Sequence, residues 1–205
     1  MPWVRGNRSV LMDVWAADHG IRCREKNRCT VSGGARPFLL QLLDAGKANP
    51  GSVASLRLFF CGGTTVPPEL VREASATFPN GLFFRVYGST EMTTTTVGIA
   101  SRAEADMGAQ TDGKVVPPTM VKLVDPESGE PVPDGEEGEI CVYGPERFFG
   151  YLHPADNEGC FDDDGFFHMG DLGRRVHNDY LVITGRKKDI IIRSGENISP
   201  KEVED

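Results

Sequence analysis

A change of rhythm near Gly113 splits the chain into two kinds of structure. Before it, helical and extended signals alternate. Trp15 to Lys26 is mostly polar and compatible with a helix, and Cys29-Thr30-Val31 is a short strand candidate. Phe38, Leu39, Leu40, Leu42 and Leu43 then share a broad apolar face at helical spacing, with Pro37 suited to a first turn and Gly46 to a stop. Leu56 to Cys61 reads as a buried strand ending at Gly62-Gly63. Pro67-Pro68 opens a helix running to about Phe78, and Leu82 to Tyr87 is another strand, ending at Gly88. Strand–helix–strand order implies parallel pairing through right-handed crossovers, so residues 1–112 are expected to form a partial α/β unit.

After Gly113 the strands are short and each gap carries turn chemistry. Met120–Val124, Glu139–Tyr143, Phe166–His168 and Tyr180–Thr184 are separated by segments such as Asp125-Pro126-Glu127-Ser128-Gly129 and Gly144-Pro145. Residues 113–186 are therefore expected to form a small antiparallel, barrel-like subdomain. Residues 187–205 hold one more strand at Asp189–Ile192 and a capping box, Ser199-Pro200-Lys201-Glu202, that starts a helix. About one and a half turns cannot stand alone, so the expectation is a chain that stops inside an element.

Composition narrows the function classes. Lys and Arg number 22 against 30 Asp and Glu, and residues 1–30 hold six of the basic and three of the acidic groups. The remainder is strongly acidic, which argues against a nucleic-acid or anionic-membrane surface. No apolar run is long enough to span a bilayer, and no secretory signal is visible at the N-terminus. Five scattered cysteines without a CxxC pair disfavour structural zinc and a disulfide framework, and point to a cytoplasmic protein.

Three segments carry chemistry, each expected where a strand gives way to a loop, the edge at which parallel α/β sheets bind ligands. Gly62-Gly63-Thr64 would let a flat ligand lie against the backbone, or would simply form a tight turn. Tyr87-Gly88-Ser89-Thr90-Glu91 offers an aromatic face, hydroxyls and a carboxylate able to hold Mg²⁺ on nucleotide phosphates, or is a Thr-rich edge with a solvated glutamate. Asp171, expected after a strand, could accept two vicinal ribose hydroxyls, and Arg186 could pair with phosphate or ribose oxygens. Asp162-Asp163-Asp164 lacks the spaced ligands and closing glutamate of a calcium loop and reads as a solvated turn.

The order of these segments resembles the adenylate-forming (AMP-binding) superfamily, of acyl-CoA synthetase or fatty-acid–CoA ligase type. Gly62-Gly63 is similar to its nucleotide-side glycine motif, Tyr87-Gly88-Ser89-Thr90-Glu91 to its YGxTE motif, and Gly138-Glu139-Ile140-Cys141-Val142 to its GEIxV strand. Gly150-Tyr151, Gly170-Asp171 and Gly185-Arg186-Lys187-Lys188-Asp189 follow in family order, with Gly195-Glu196-Asn197-Ile198 after them. His168-Met169 departs from the pair that usually precedes Gly-Asp.

The resemblance implies the C-terminal part of the family's large α/β domain and the start of its small C-terminal domain. It implies ATP or AMP and Mg²⁺ as cofactors, CoA as co-substrate and a small carboxylic acid as substrate. By position, Gly62, Gly63, Thr64, Tyr87 and Ile183 would surround adenine, Gly88 would belong to the same nucleotide-binding set, and Asp171 would hold the ribose. Thr90, Glu91 and Arg186 would serve catalysis, with Glu91 on the metal and Lys188 at the interdomain hinge. The family's phosphate loop and C-terminal lysine have no counterpart in residues 1–205, since Thr30–Pro37 runs into the Phe38–Leu43 helix. The expectation is thus a piece of an ATP-dependent acyl-CoA ligase. The rivals are a non-catalytic remnant that binds nucleotide or pairs with a complementary chain, and a barrel module for carbohydrate or peptide.

Overall fold

The computed structural model describes residues 6–49, 51, 53–177, 179–189, 191–193 and 196–198; the capping box expected at 199–202 lies outside them. The chain divides into two compact units. One runs to Phe84 and includes Ala100–Ala109; the other is Arg85–Ile99 with the residues from Gln110 onward.

The first unit has the expected alternation. Helix α1 (Ala17–Asn27) ends where Arg28 turns left-handed at φ 51°, its N–H bonding back to the Arg24 and Glu25 carbonyls. Strand β1 (Val31–Gly34) leads into α2 (Arg36–Ala48), then β2 (Leu58–Cys61), α3 (Pro68–Thr77) and β3 (Leu82–Arg85). The sheet order is β1-β2-β3, and β1 pairs β2 in parallel with Val31 opposite Leu58 and Gly34 opposite Cys61.

Leu39, Leu42 and Leu43 of α2 are buried with Phe59, Val71, Phe78 and Phe83 in one core. Each such leucine stabilises the fold by roughly 1.5–3 kcal/mol through apolar burial. Gly46 does not stop α2, which continues to Ala48. The glycine sits there because the Phe78 ring lies 2.2 Å from where a Cβ would stand.

In the second unit β4 (Thr96–Val97) is followed by α4 (Ala105–Gln110), most of which belongs to the first unit. Strands β5 (Lys114–Val115), β6 (Met120–Val124), β7 (Glu137–Tyr143), β8 (Phe167–Val176) and β9 (Tyr180–Arg186) come next. They form a six-stranded sheet in the order β4-β5-β9-β8-β7-β6, with antiparallel pairs throughout. Among the described residues the sheet runs in pairing order from β4 at one end to β6 at the other. Its core is Met92, Leu123, Ile140, Val142 and Phe167, ringed by Phe148, Phe161 and Met169.

Lys187–Asp189 form a 3-10 turn, and the strand expected at 189–192 is β10 (Ile191–Arg193), paired antiparallel with β11 (Glu196–Ile198). The Asp162–Asp164 run is a turn. Asp162 Oδ1 accepts the N–H groups of Asp164 and Phe166, and Oδ2 pairs with Lys122 at 2.6 Å. No helix among the described residues is long and apolar enough to cross a membrane.

Candidate functional site

Asp171 is the centre of the site, and the structure changes the expected reason for its position. It does not follow a strand but lies inside β8. Glu139 of β7 faces Leu172 and Cys141 faces His168, so Ile140 alone spans Met169, Gly170 and Asp171. Such a bulge re-aims a side chain. Gly170 makes it possible, since its φ of +70° is one that a side chain disfavours.

Around Asp171 two expected residues converge. The Tyr87 hydroxyl donates to Asp171 Oδ2 at 2.7 Å, and Arg186, directly opposite Asp171 across the β8–β9 pair, donates from Nε to Oδ1 at 3.2 Å. Burial first, then the Asp171 charge and hydrogen bond, push the Tyr87 hydroxyl far above the ordinary tyrosine range. Tyr87 therefore stays a donor. Each Asp171 oxygen retains lone-pair capacity beyond its one donor, which suits acceptance of a vicinal diol. Tyr87 and Ile183 both pack against the sheet core, and the Ile183 N–H is held by Asp112 Oδ2 at 2.9 Å.

The loop after β3 holds the other carboxylate. Gly88 is required, because a Cβ would stand 2.6 Å from the Thr93 carbonyl oxygen and 2.9 Å from that of Met92. The loop closes on itself through Ser89, whose Oγ accepts the Glu91 and Met92 N–H groups, while Thr90 is exposed. The Tyr151 hydroxyl donates to Glu91 Oε1 at 3.0 Å. Burial would push the Glu91 carboxyl up, yet hydrogen bonds from Ser89, its own N–H and Tyr151 outweigh this and hold it below the usual glutamate range. A charged, oriented oxygen ligand of this kind fits Mg²⁺.

Tyr151 was visible in the sequence only as half of a Gly-Tyr pair. Nothing local marks its bond to a residue 60 positions away. Asp112 was missed for the same reason. Lys188 is exposed in the 3-10 turn after β9. Gly62, Gly63 and Thr64 belong to the first unit and form the turn after β2, with Gly63 at φ +77° and the Arg36 N–H donating to Thr64 Oγ1 at 3.5 Å.

A cluster around the buried Glu139 carboxylate adjoins the site. Glu139 Oε2 takes Lys187 Nζ at 2.8 Å and faces His168 Nδ1 at 3.2 Å. Burial, then the Glu139 charge, push the neighbouring Cys141 thiol up to about 12, so it stays protonated. All five cysteines are free.

A family model described as AMP-binding enzyme matches residues 1–152, well over half of the chain. The chain belongs to this adenylate-forming, AMP-binding enzyme family. Within it, the medium-chain fatty-acid–CoA ligase of Escherichia coli K12 is 39% identical over 206 residues, covering 100% of this chain and 36% of the relative. The 4-coumarate–CoA ligase 1 of Glycine max is 32% identical over 198 residues, covering 95% of this chain and 68% of the relative. The chain thus spans little more than a third of the bacterial ligase.

Among solved structures, o-succinylbenzoate CoA synthetase of Bacillus subtilis with its acyl-adenylate intermediate superposes with a TM-score of 0.86 at 26% identity, over 99% of this chain and 40% of that one. ATP-bound MatB of Rhodopseudomonas palustris gives 0.81 at 30% identity, over 95% and 38%. The AMP-binding type is therefore the acyl-CoA ligase one, and the expectation of an α/β part with a parallel sheet followed by an antiparallel part holds at that level, as a three-stranded and a six-stranded sheet.

Proposed function

We propose that this AMP-binding chain carries the ribose and metal side of an ATP-dependent acid–CoA ligase. The reaction joins a carboxylic acid and ATP to give acyl-AMP and pyrophosphate, and CoA then displaces AMP to form the thioester. The observation that carries the reading is the Asp171 carboxylate, projected by a bulge and gripped from both sides by Tyr87 and Arg186. The names of the curated relatives support the reaction class, and a fatty or aromatic acid is the substrate class they favour.

Each group has work suited to it. A carboxylate is a poor acyl donor because oxide is a poor leaving group, and transfer to the α-phosphorus of ATP removes that difficulty. Asp171 accepts the ribose hydroxyls and so fixes where the α-phosphorus stands. Tyr87, its hydroxyl locked, presents its ring to adenine beside Ile183. Thr90 donates to the α-phosphate, and Arg186 holds ribose or phosphate oxygens. Mg²⁺ held through Glu91 would offset the phosphate charge. These are positioning and electrostatic contributions, which dominate phosphoryl-type transfer. Lys188 is the proposed pivot of the turn after β9.

Titration calorimetry with AMP tests the reading. The parent chain is expected to bind AMP, and Asp171→Asn to weaken it by at least tenfold, the scale of about 1.5–3 kcal/mol for a hydrogen bond to a charged group. Asp163→Asn, in the surface turn, serves as control. Equal AMP affinity in parent and Asp171→Asn overturns the ribose role. ATP–pyrophosphate exchange across a panel of carboxylic acids tests the chemistry; AMP binding without exchange for any acid would leave a nucleotide-binding, non-catalytic chain.

A further inference from the structure

The mechanism above leaves a buried charge unused. The Glu139 side chain is 4% exposed, and such a carboxylate persists only where cations and donors replace its water. Its partners are Lys187 Nζ at 2.8 Å and His168 Nδ1 at 3.2 Å, both on Oε2. Their positions in the sheet give the cluster its meaning. Glu139 lies opposite Leu172, the residue just after the bulge, whereas His168 is opposite Cys141, just before it. The carboxylate therefore bridges the two feet of the bulge that projects Asp171. Lys187 immediately follows Arg186, which faces Asp171 across the β8–β9 pair. One buried carboxylate thus ties the bulge to the strand end that supplies its arginine.

The geometry points to Glu139 as a positioning residue: with His168 and Lys187 it staples the bulge of β8, and so sets how Asp171 and Arg186 are presented to the diol of a bound nucleotide. Two glycines flank the site, at 170 and 173, and Gly170 holds a positive φ. A segment of this kind has little backbone preference of its own, and side-chain bonds across its mouth restrict the conformations open to it. Glu139 touches no ligand in this scheme and acts only through Asp171 and Arg186.

The ligand half of this inference rests on the ribose reading of Asp171, so the test separates the two. Binding of AMP and of 2′,3′-dideoxy-AMP is compared by calorimetry. In the parent, AMP binds more tightly, and Asp171→Asn abolishes that preference; a preference unchanged by Asp171→Asn defeats the ribose reading, not the staple. Glu139→Gln is expected to weaken AMP about tenfold while leaving dideoxy-AMP within about twofold, the cost of a misplaced charge-assisted bond. Lys187→Met, at a half-exposed side chain, should act in the same direction, and Lys187→Arg should restore the preference.

A readout needing no nucleotide completes the test. Hydrogen exchange at residues 169–171 should accelerate in Glu139→Gln and Lys187→Met, with β6 unchanged. Parent-like exchange at 169–171 in both variants overturns the staple. So does an equal loss of AMP and dideoxy-AMP affinity, which would mark Glu139 as a general support of the fold.

Discussion

Glu91 and Tyr151 show how neighbouring hydrogen bonds hold a carboxylate in its charged form. The Tyr151 ring is itself fixed, packed edge-on against Phe148 at 4.8 Å between centroids, and the Phe148 N–H donates to the Glu91 carbonyl at 2.8 Å. Burial, then the bond to Glu91, push the Tyr151 hydroxyl up to about 12, so it donates at every working pH. Because the Glu91 carboxyl is held low, the bonds that hold it are complete above the ordinary glutamate value of 4.5. They are lost as the pH falls through the lowered value. Tyr151→Phe removes one donor, so the Glu91 titration followed by carboxyl NMR is expected to move up toward 4.5. Mg²⁺ affinity in the presence of ATP should begin to fall at a higher pH than in the parent, with the difference confined to the range below 4.5 and AMP affinity at pH 7 unchanged. An unmoved titration would show that Ser89 and the backbone hold the carboxylate without Tyr151.

Glycines separate what an element's sequence reveals from what only packing reveals. Gly33 and Gly88 both lack room for a Cβ, but for different reasons. At Gly33 the obstacle is the Phe60 ring, 2.3 Å away and 42% exposed, which can swing outward. At Gly88 the obstacles are two backbone carbonyls, which move only if the whole loop moves. Gly33→Ala is therefore expected to cost under about 1 kcal/mol in urea unfolding, and Gly88→Ala about 2 kcal/mol or more together with loss of AMP binding. Equal costs would mean that the loop from Tyr87 to Thr93 is as compliant as a surface ring.

The same contrast explains the misread elements. Gly46 has the composition of a helix stop, but the Phe78 ring accounts for it, and that ring comes from a residue 32 positions on. In β8, the sequence pattern marks only Phe166–His168 as extended. The element in fact continues to Val176, since Gly173 meets Ile140 and the Val182 carbonyl across the sheet.

At the scale of the whole molecule, the helices and the parallel pair of the first unit were legible because apolar spacing and proline placement are local. Tyr87, Glu91, Asp171 and Arg186 were legible as candidates because their motifs occur in family order. What joins them was not: the Tyr87–Asp171 bond spans 84 residues and the Lys187–Glu139 bond 48. Single-sequence periodicity carries no record of such pairings. The structure adds two apolar cores among the described residues with no residue in common, one around Leu42 and Phe59, the other around Ile140 and Phe167. Separate cores predict separable stability. Leu42→Ala and Ile140→Ala should each cost about 2–5 kcal/mol locally, the range for emptying a filled core position. Measured by hydrogen exchange resolved along the chain, Leu42→Ala is expected to lower protection in α2 and β2 while β7 and β8 keep theirs, and Ile140→Ala to do the reverse. If either substitution lowers protection equally in both sets of strands, the two cores melt as one cooperative body, and a change in the first unit would then reach Asp171 through stability alone.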